Sequence, residues 1–273
     1  MSGVKHCCRQ LRWCSLIGAC WLLACLPREH EVNQERVAST GTEAPRATAT
    51  QRGAAVKSEK AAPRRTPRTS ADPQHPKLTA PFQDDFERSS LGNDWVVTSK
   101  RWRIEEGRLC VQNARNHPIW LAKRLPTNAR IRFSAVSYSP DGDIKAEFWG
   151  NGRSAATGVA YRDATSYLTI FGGWKNQYHV LARIDEHASD RPEVVLSADS
   201  DDVRTARVQP GRRYQFEVER SDGHTVIWRV DGQEILRYVD DEPLAGSGHE
   251  HFGFNDWAAR VCFDNLEIVP LGD

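Results

Sequence analysis

The chain has 273 residues, a formal net charge of +1 and 39% hydrophobic residues, enough for one large β domain or two small ones. The near-neutral total conceals a split: residues 1–78 hold 13 Lys/Arg against 6 Asp/Glu, and the remainder is acidic. An acidic folded part excludes nucleic acid as the main partner, because phosphate neutralisation requires clustered Lys and Arg.

The first 25 residues combine a basic start (Lys5, Arg9, Arg12) with an apolar run from Trp13 to Cys25. That pattern predicts a signal peptide, too short for a comfortable membrane span. The run ends in Leu22-Leu23-Ala24-Cys25, which resembles a bacterial lipobox. The resemblance implies lipidation of Cys25 and a membrane partner through that anchor; an ordinary cleaved signal peptide is the other reading. Either way the protein is expected to leave the cytoplasm. Residues 26–78 are rich in Ala, Thr, Arg, Pro and Ser and have no aromatic residue. Such a segment buries too little apolar surface to offset its ordering entropy and is expected to be a disordered tether.

The domain is expected over 79–273. Short strand-like runs follow one another: Trp102 to Glu105, Leu109 to Asn113, Trp120 to Leu125, Ala129 to Val136, Asp143 to Trp149, Gly158 to Tyr161, Tyr167 to Phe171 and His179 to Ile184. Turn signals such as Glu106-Gly107, Asp141-Gly142 and Gly172-Gly173 separate them. The strongest signal comes last. Tyr214, Phe216 and Val218 alternate with Gln215, Glu217 and Glu219, and Val226, Trp228 and Val230 repeat the pattern. Period two marks strands with one buried face, and Asp222-Gly223 and Asp231-Gly232 are hairpin pairs. Short strands at this spacing predict an all-β antiparallel sandwich without amphipathic helices. Cys110 and Cys262 fall in the first and last strand-like runs. Two buried free thiols are the expected state, with a disulfide as the alternative an exported location permits.

Four segments together resemble a known superfamily: Asp84-Asp85-Phe86-Glu87-Arg88 with Leu91-Gly92-Asn93-Asp94-Trp95, Trp102-Arg103-Ile104-Glu105-Glu106-Gly107, Trp228-Arg229-Val230-Asp231-Gly232, and Phe263-Asp264-Asn265-Leu266-Glu267-Ile268. They are similar to the concanavalin A-like lectin/glucanase jelly-roll superfamily, and within it to bacterial exported 3-keto-disaccharide hydrolase-like domains. The resemblance implies two stacked sheets with adjacent first and last strands. It also implies a structural calcium ion, not required for activity, with Asp264 as a ligand near Asp84 and Asp85. Capping of the last strand's entry by Asp264 and Asn265 is the alternative.

The Glu-x-Asp-x-x-Glu strand motif of laminarinase-like relatives is absent. The nearest stretch places Asp143, Lys145, Glu147 and Trp149 on one expected strand face. That is the form of a sugar-binding face, or of a solvated one. Trp174, Asn176, His179 and Arg183 form a second candidate surface. Asn255, Asp256 and Trp257 form a third, preceded by His249 and His251 at a metal-compatible spacing but without further ligands. These residues predict an exported carbohydrate-binding domain of the bacterial envelope for a polysaccharide or oligosaccharide. Its ligand residues would be Trp149, Trp174, Asn176, His179, Arg183, Asn255 and Trp257. The alternative is a glycoside hydrolase using Glu147 with Asp143 or Asp185. A non-catalytic envelope interaction module is the third reading.

Overall fold

A computed structural model describes residues 75–272. The leader with Cys25, and the tether up to residue 74, lie outside the described residues. Among the described residues no helix is long and apolar enough to cross a membrane. The chain enters the sandwich at its first described residues: Leu78 N–H donates to the Arg124 carbonyl at 2.8 Å, and Arg124 N–H to that of Pro76 at 2.9 Å.

Fifteen strands follow: β1 Phe82–Asp84, β2 Trp95–Val97, β3 Arg103–Glu105, β4 Arg108–Val111, β5 Ile119–Leu121, β6 Ala129–Ser137, β7 Ile144–Gly150, β8 Tyr167–Gly172, β9 Tyr178–Arg183, β10 Glu193–Val195, β11 Arg213–Arg220, β12 Thr225–Val230, β13 Gln233–Val239, β14 His251–Asn255 and β15 Val261–Pro270. They form two antiparallel sheets. One runs β13-β12-β11-β6-β15-β4-β3, with β1 also on β15; the other runs β10-β9-β8-β7-β14-β5-β2. β1 pairs with residues 266–268 of β15 and β4 with 261–263, so the first strand lies beside the last.

The hairpin meander forms as its alternation requires. Tyr214, Phe216, Val218, Val226, Trp228 and Val230 are buried between the sheets. Asp231 (φ 50°) and Gly232 (φ 78°) make the tight turn joining β12 to β13. Phe133 sits in the middle of the core, stacked on Phe216 at 4.9 Å and edge-on to Phe254 at 5.1 Å.

Two expectations are corrected. Cys110 and Cys262 are not free thiols but a disulfide. They are direct cross-strand partners on β4 and β15, with Cα atoms 4.1 Å apart. Closing so long a loop stabilises the fold by roughly 4–5 kcal/mol in the chain-entropy view. Residues Gly158 to Tyr161 form no strand. They belong to the 151–166 loop, which folds back over the outer face of the seven-stranded sheet. There Tyr161 and Ala164 pack on Leu168, Ile170, Val180 and Ala182 as a second, smaller core.

Candidate functional site

On β7, Ile144, Ala146 and Phe148 point into the main core, so Lys145 and Glu147 face outward. An outward position normally means water, yet both side chains are buried. The 151–166 loop covers Glu147. Glu147 accepts hydrogen bonds from Ser166 Oγ (2.6 Å), Asn255 Nδ2 (2.8 Å) and Tyr161 OH (3.0 Å). Burial pushes its pKa up to about 7, although the three donors pull the other way.

Lys145 is held by three residues. Its Nζ lies 2.9 Å from Glu186 Oε2, 3.0 Å from Asn116 Oδ1 and 3.9 Å from Asp143 Oδ1. Burial disfavours its charge, but Asp143 and Glu186 outweigh that and hold the pKa above the usual lysine value. Glu186 continues the chain to His187, whose Nε2 is 3.3 Å from Glu186 Oε1. Asp143 is pushed up by burial, against the pull of Lys145. Asp256 lies behind this group. It accepts a hydrogen bond from Ala114 N–H at 2.9 Å, and burial raises its pKa to about 7.

Asp143, Lys145, Glu186 and His187 line a cleft of about 800 Å³, together with Trp174, Tyr178 and Trp257. That is the size of a typical small-ligand site. Arg191 lies over the Trp174 ring (4.7 Å) and Arg115 over the Trp257 ring (4.5 Å). Neither arginine lines the cleft. They brace the two indoles from outside it. The backbone here is strained. Asp143, Trp174 and Lys175 are all left-handed, with φ of 63°, 50° and 59°. Non-glycine residues adopt this conformation at a cost of roughly 1–2 kcal/mol each. Consecutive left-handed residues form the single turn Gly173–Asn176 that projects Trp174 into the cleft.

The structure thus divides the sequence candidates. Asp143, Trp174 and Trp257 meet at one cleft. Trp149 does not join them: its left-handed backbone (φ 54°) breaks the alternation of β7, and the β7–β14 register shifts there. Its ring is buried in the main core, with N–H donated to the Pro126 carbonyl and Arg220 stacked at 3.9 Å. His179 is fully buried, stacked on Phe171 at 4.0 Å, and burial lowers its pKa to about 3. The opposite face of β9 is buried too, against the second core, so this strand has no solvated side there. Asn176 donates to the Pro140 and Val208 carbonyls, and its oxygen accepts from Val208 N–H, which holds the loops behind Trp174. Asn255 is committed to Glu147. Arg183 pairs with Asp240 at 2.8 Å, away from the cleft-lining residues. Asp185 does not line the cleft and accepts the His187 backbone N–H.

The expected histidine pair does not converge. His249 Nδ1 is 2.7 Å from the Thr165 carbonyl, whereas His251 Nε2 faces His75 Nδ1 at 3.1 Å. The carboxylate expected to hold calcium is engaged otherwise: Asp264 pairs with Arg213 at 3.1 Å. Hard-cation sites need several uncommitted oxygens. The metal-capable group among the described residues is elsewhere: Glu105, Cys110 and Cys262, with ligand atoms within 4.8 Å of one another. It contains the disulfide, and only a thiolate is a strong sulfur ligand.

Four contributors escaped the sequence reading: Asn116, Glu186, His187 and Tyr178. Glu186 and His187 stood in a charged run after β9, a signal that was legible. Asn116 had none, since it reaches Lys145 from 29 residues away.

No protein-family model matches the chain, and no curated protein matches it. Among solved structures it is similar to the carbohydrate recognition domain of Emp47p, with 14% identity over 74% of this chain and 100% of that one, at a TM-score of 0.50. The potassium-bound carbohydrate recognition domain of Emp46p is 10% identical over 69% of this chain and 96% of that one, also at 0.50. At such identities the likeness bears on the fold alone. The described domain is an all-β, jelly-roll-like sandwich of two antiparallel sheets.

Proposed function

We propose that this is an exported carbohydrate-binding domain whose ligand occupies the Trp174–Trp257 cleft. The observation that carries the reading is the pairing of two braced indoles with a buried polar floor in one cleft. Indole faces stack on the C–H surfaces of a sugar ring, and Asp143 accepts hydrogen bonds from hydroxyls. The fold likeness to carbohydrate recognition domains supports it, as does an acidic domain unsuited to nucleic acid. Placement beside 3-keto-disaccharide hydrolase-like domains, and a lipid anchor at Cys25, belong to the same proposal and rest on the sequence resemblances.

The test is a glycan array probed with the full chain, followed by calorimetry on any positive glycan. Trp174→Ala and Trp257→Ala should each weaken binding by about 2 kcal/mol, roughly thirtyfold in Kd. Binding that both variants retain at full strength would place the sugar site elsewhere.

A further inference from the structure

We propose that the side chains of Lys145 and Asn116 become joined by an amide bond, with Glu186 carrying protons between the attacking and the leaving nitrogen. The bond forms in the floor of the cleft whether or not a sugar binds above it.

Three groups meet in one buried place. Lys145 lies on β7, Asn116 in the loop between β4 and β5, and Glu186 in the loop after β9. Their exposures are 4%, 0% and 4%. Lys145 Nζ is 3.0 Å from Asn116 Oδ1. The carboxamide carbon that an amine attacks is one bond, about 1.2 Å, beyond that oxygen. Glu186 addresses the two nitrogens separately: Oε2 accepts from Lys145 Nζ at 2.9 Å, and Oε1 from Asn116 Nδ2 at 3.4 Å. One carboxylate thus touches the nitrogen that must lose protons and the nitrogen that must gain one.

Asn116 is also fixed in its pose. Its backbone is left-handed (φ 58°), its N–H donates to the Asp256 carbonyl at 2.8 Å, and its carbonyl accepts from Ala156 N–H at 2.9 Å. Strain that holds two reactive groups in contact lowers the entropy cost of their reaction. A buried ion pair by itself adds little to stability, so the cluster gains more as a reaction site than as a pair.

The step balances without an oxidant or co-reactant. Glu186 takes a proton from the Lys145 ammonium, an exchange that replaces two buried charges with two neutral groups. The amine lone pair then forms the bond to the carboxamide carbon of Asn116, and the carbonyl π pair moves to Oδ1. Glu186 gives its proton to Nδ2, and the carbon–Nδ2 bond breaks with its electron pair on the departing nitrogen. The carbonyl re-forms, and Glu186 takes the second proton from Nζ and passes it to the released ammonia. Lysine ammonium and carboxamide have become amide and ammonium. Burial lowers the pKa of Lys145, but Asp143 and Glu186 outweigh it and keep the neutral amine a minor form. A reaction that each molecule performs once tolerates that, because the ammonia escapes through the cleft that Lys145 and Glu186 line.

The bond ties β7 to the β4–β5 loop, which passes from one sheet to the other. It also steadies Trp257, whose carbonyl accepts the Arg115 N–H at 2.9 Å. Lys145→Met removes the bond together with the ion pair from which it forms.

In the experiment the full chain is unfolded, reduced and cut with trypsin, which spares a lysine whose Nζ is acylated. Wild-type protein should yield residues 116–123 joined to residues 133–153, lighter than the two peptides together by one ammonia. Glu186→Gln should slow linkage by roughly 10²–10⁴-fold and leave the peptides separate. If that variant fails to fold by near-ultraviolet circular dichroism, Glu186→Asp replaces it; its shorter side chain cannot reach both nitrogens at once and should link only in part. Separate peptides from folded wild-type protein, with cleavage after Lys145, overturn the inference. Loss of one water in place of ammonia puts the bond on a carboxylate and overturns the assignment of Asn116. Full linkage in the Glu186 variant overturns the proton-carrying role.

Discussion

The outer faces of the two sheets carry similar charged residues in opposite settings. On the eight-stranded sheet, Arg130–Glu219, Arg132–Glu217 and Arg229–Glu217 pair across neighbouring strands at 2.6, 2.7 and 2.8 Å. These are cross-strand surface pairs, open to solvent and matched in charge. On the seven-stranded sheet, Lys145 and Glu147 occupy the same kind of outward strand position but are buried, Glu147 beneath the 151–166 loop and Lys145 against Asn116 and Glu186. The difference is one of cover, not of strand pattern. Surface pairs contribute little because water competes for both partners. Covered charges depend on their few protein partners, so they become rigid, costly and shifted in pKa.

The largest effect that sharpens this comparison is a paired substitution. Lys145→Met removes the cation between Glu186 and Asp143 and should cost about 3–5 kcal/mol. Arg132→Met should cost less than about 1 kcal/mol. Urea denaturation of the two variants checks this, and equal losses would break the contrast.

The pH dependence of stability should differ in sign between the faces. Glu147 rises from 4.5 to about 7 on folding. Its contribution is therefore full below pH 4.5 and is lost as pH rises towards 7, by roughly 3 kcal/mol. Asp256, also near 7, acts in the same direction. Glu217 behaves oppositely. Burial acts upward on it, but the guanidinium of Arg132, assisted by Arg229, outweighs burial and holds it below 4.5. Its contribution is present above pH 4.5 and is lost on acidification. Glu147→Gln should flatten the decline between pH 4.5 and 7, and Glu217→Gln should soften the acid limb by less. Denaturation midpoints across pH 3–8 measure both; a Glu147→Gln profile parallel to wild type would sink the burial argument.

The smallest effect concerns the cleft's own backbone. Lys175 is left-handed at φ 59°, and glycine adopts that conformation without the Cβ penalty. Lys175→Gly should raise stability by about 1 kcal/mol and weaken glycan binding, because the turn that holds Trp174 loosens. Thermal melts and calorimetry read the two effects separately. A destabilised variant would show that Lys175 contributes more through contacts than it costs through strain.

Much of the fold was legible in local pattern. The alternation in β11 and β12 and the Asp-Gly turns specify the meander, because period two and positive φ are local properties. The site was legible only in fragments. Asp143, Trp174 and Trp257 were recognised by residue type, but the pattern that placed Trp149 beside Asp143 failed where its backbone turns left-handed. His179 was misread as surface because β9 has two buried faces, and period two reveals only one. The disulfide depended on register between strands 152 residues apart.

The sequence by itself determined which residues alternate, where the chain turns, and hence an antiparallel sandwich, with the jelly-roll type implied by the resemblance of four segments. The tertiary structure alone decided which outward-facing charges are buried and which aromatic rings share a cleft. The physical reason is that burial of Lys145 requires Asn116 and Glu186 to arrive from separate loops, and burial of Glu147 requires the 151–166 loop to close over it. Those are long-range contacts, which no local periodicity encodes.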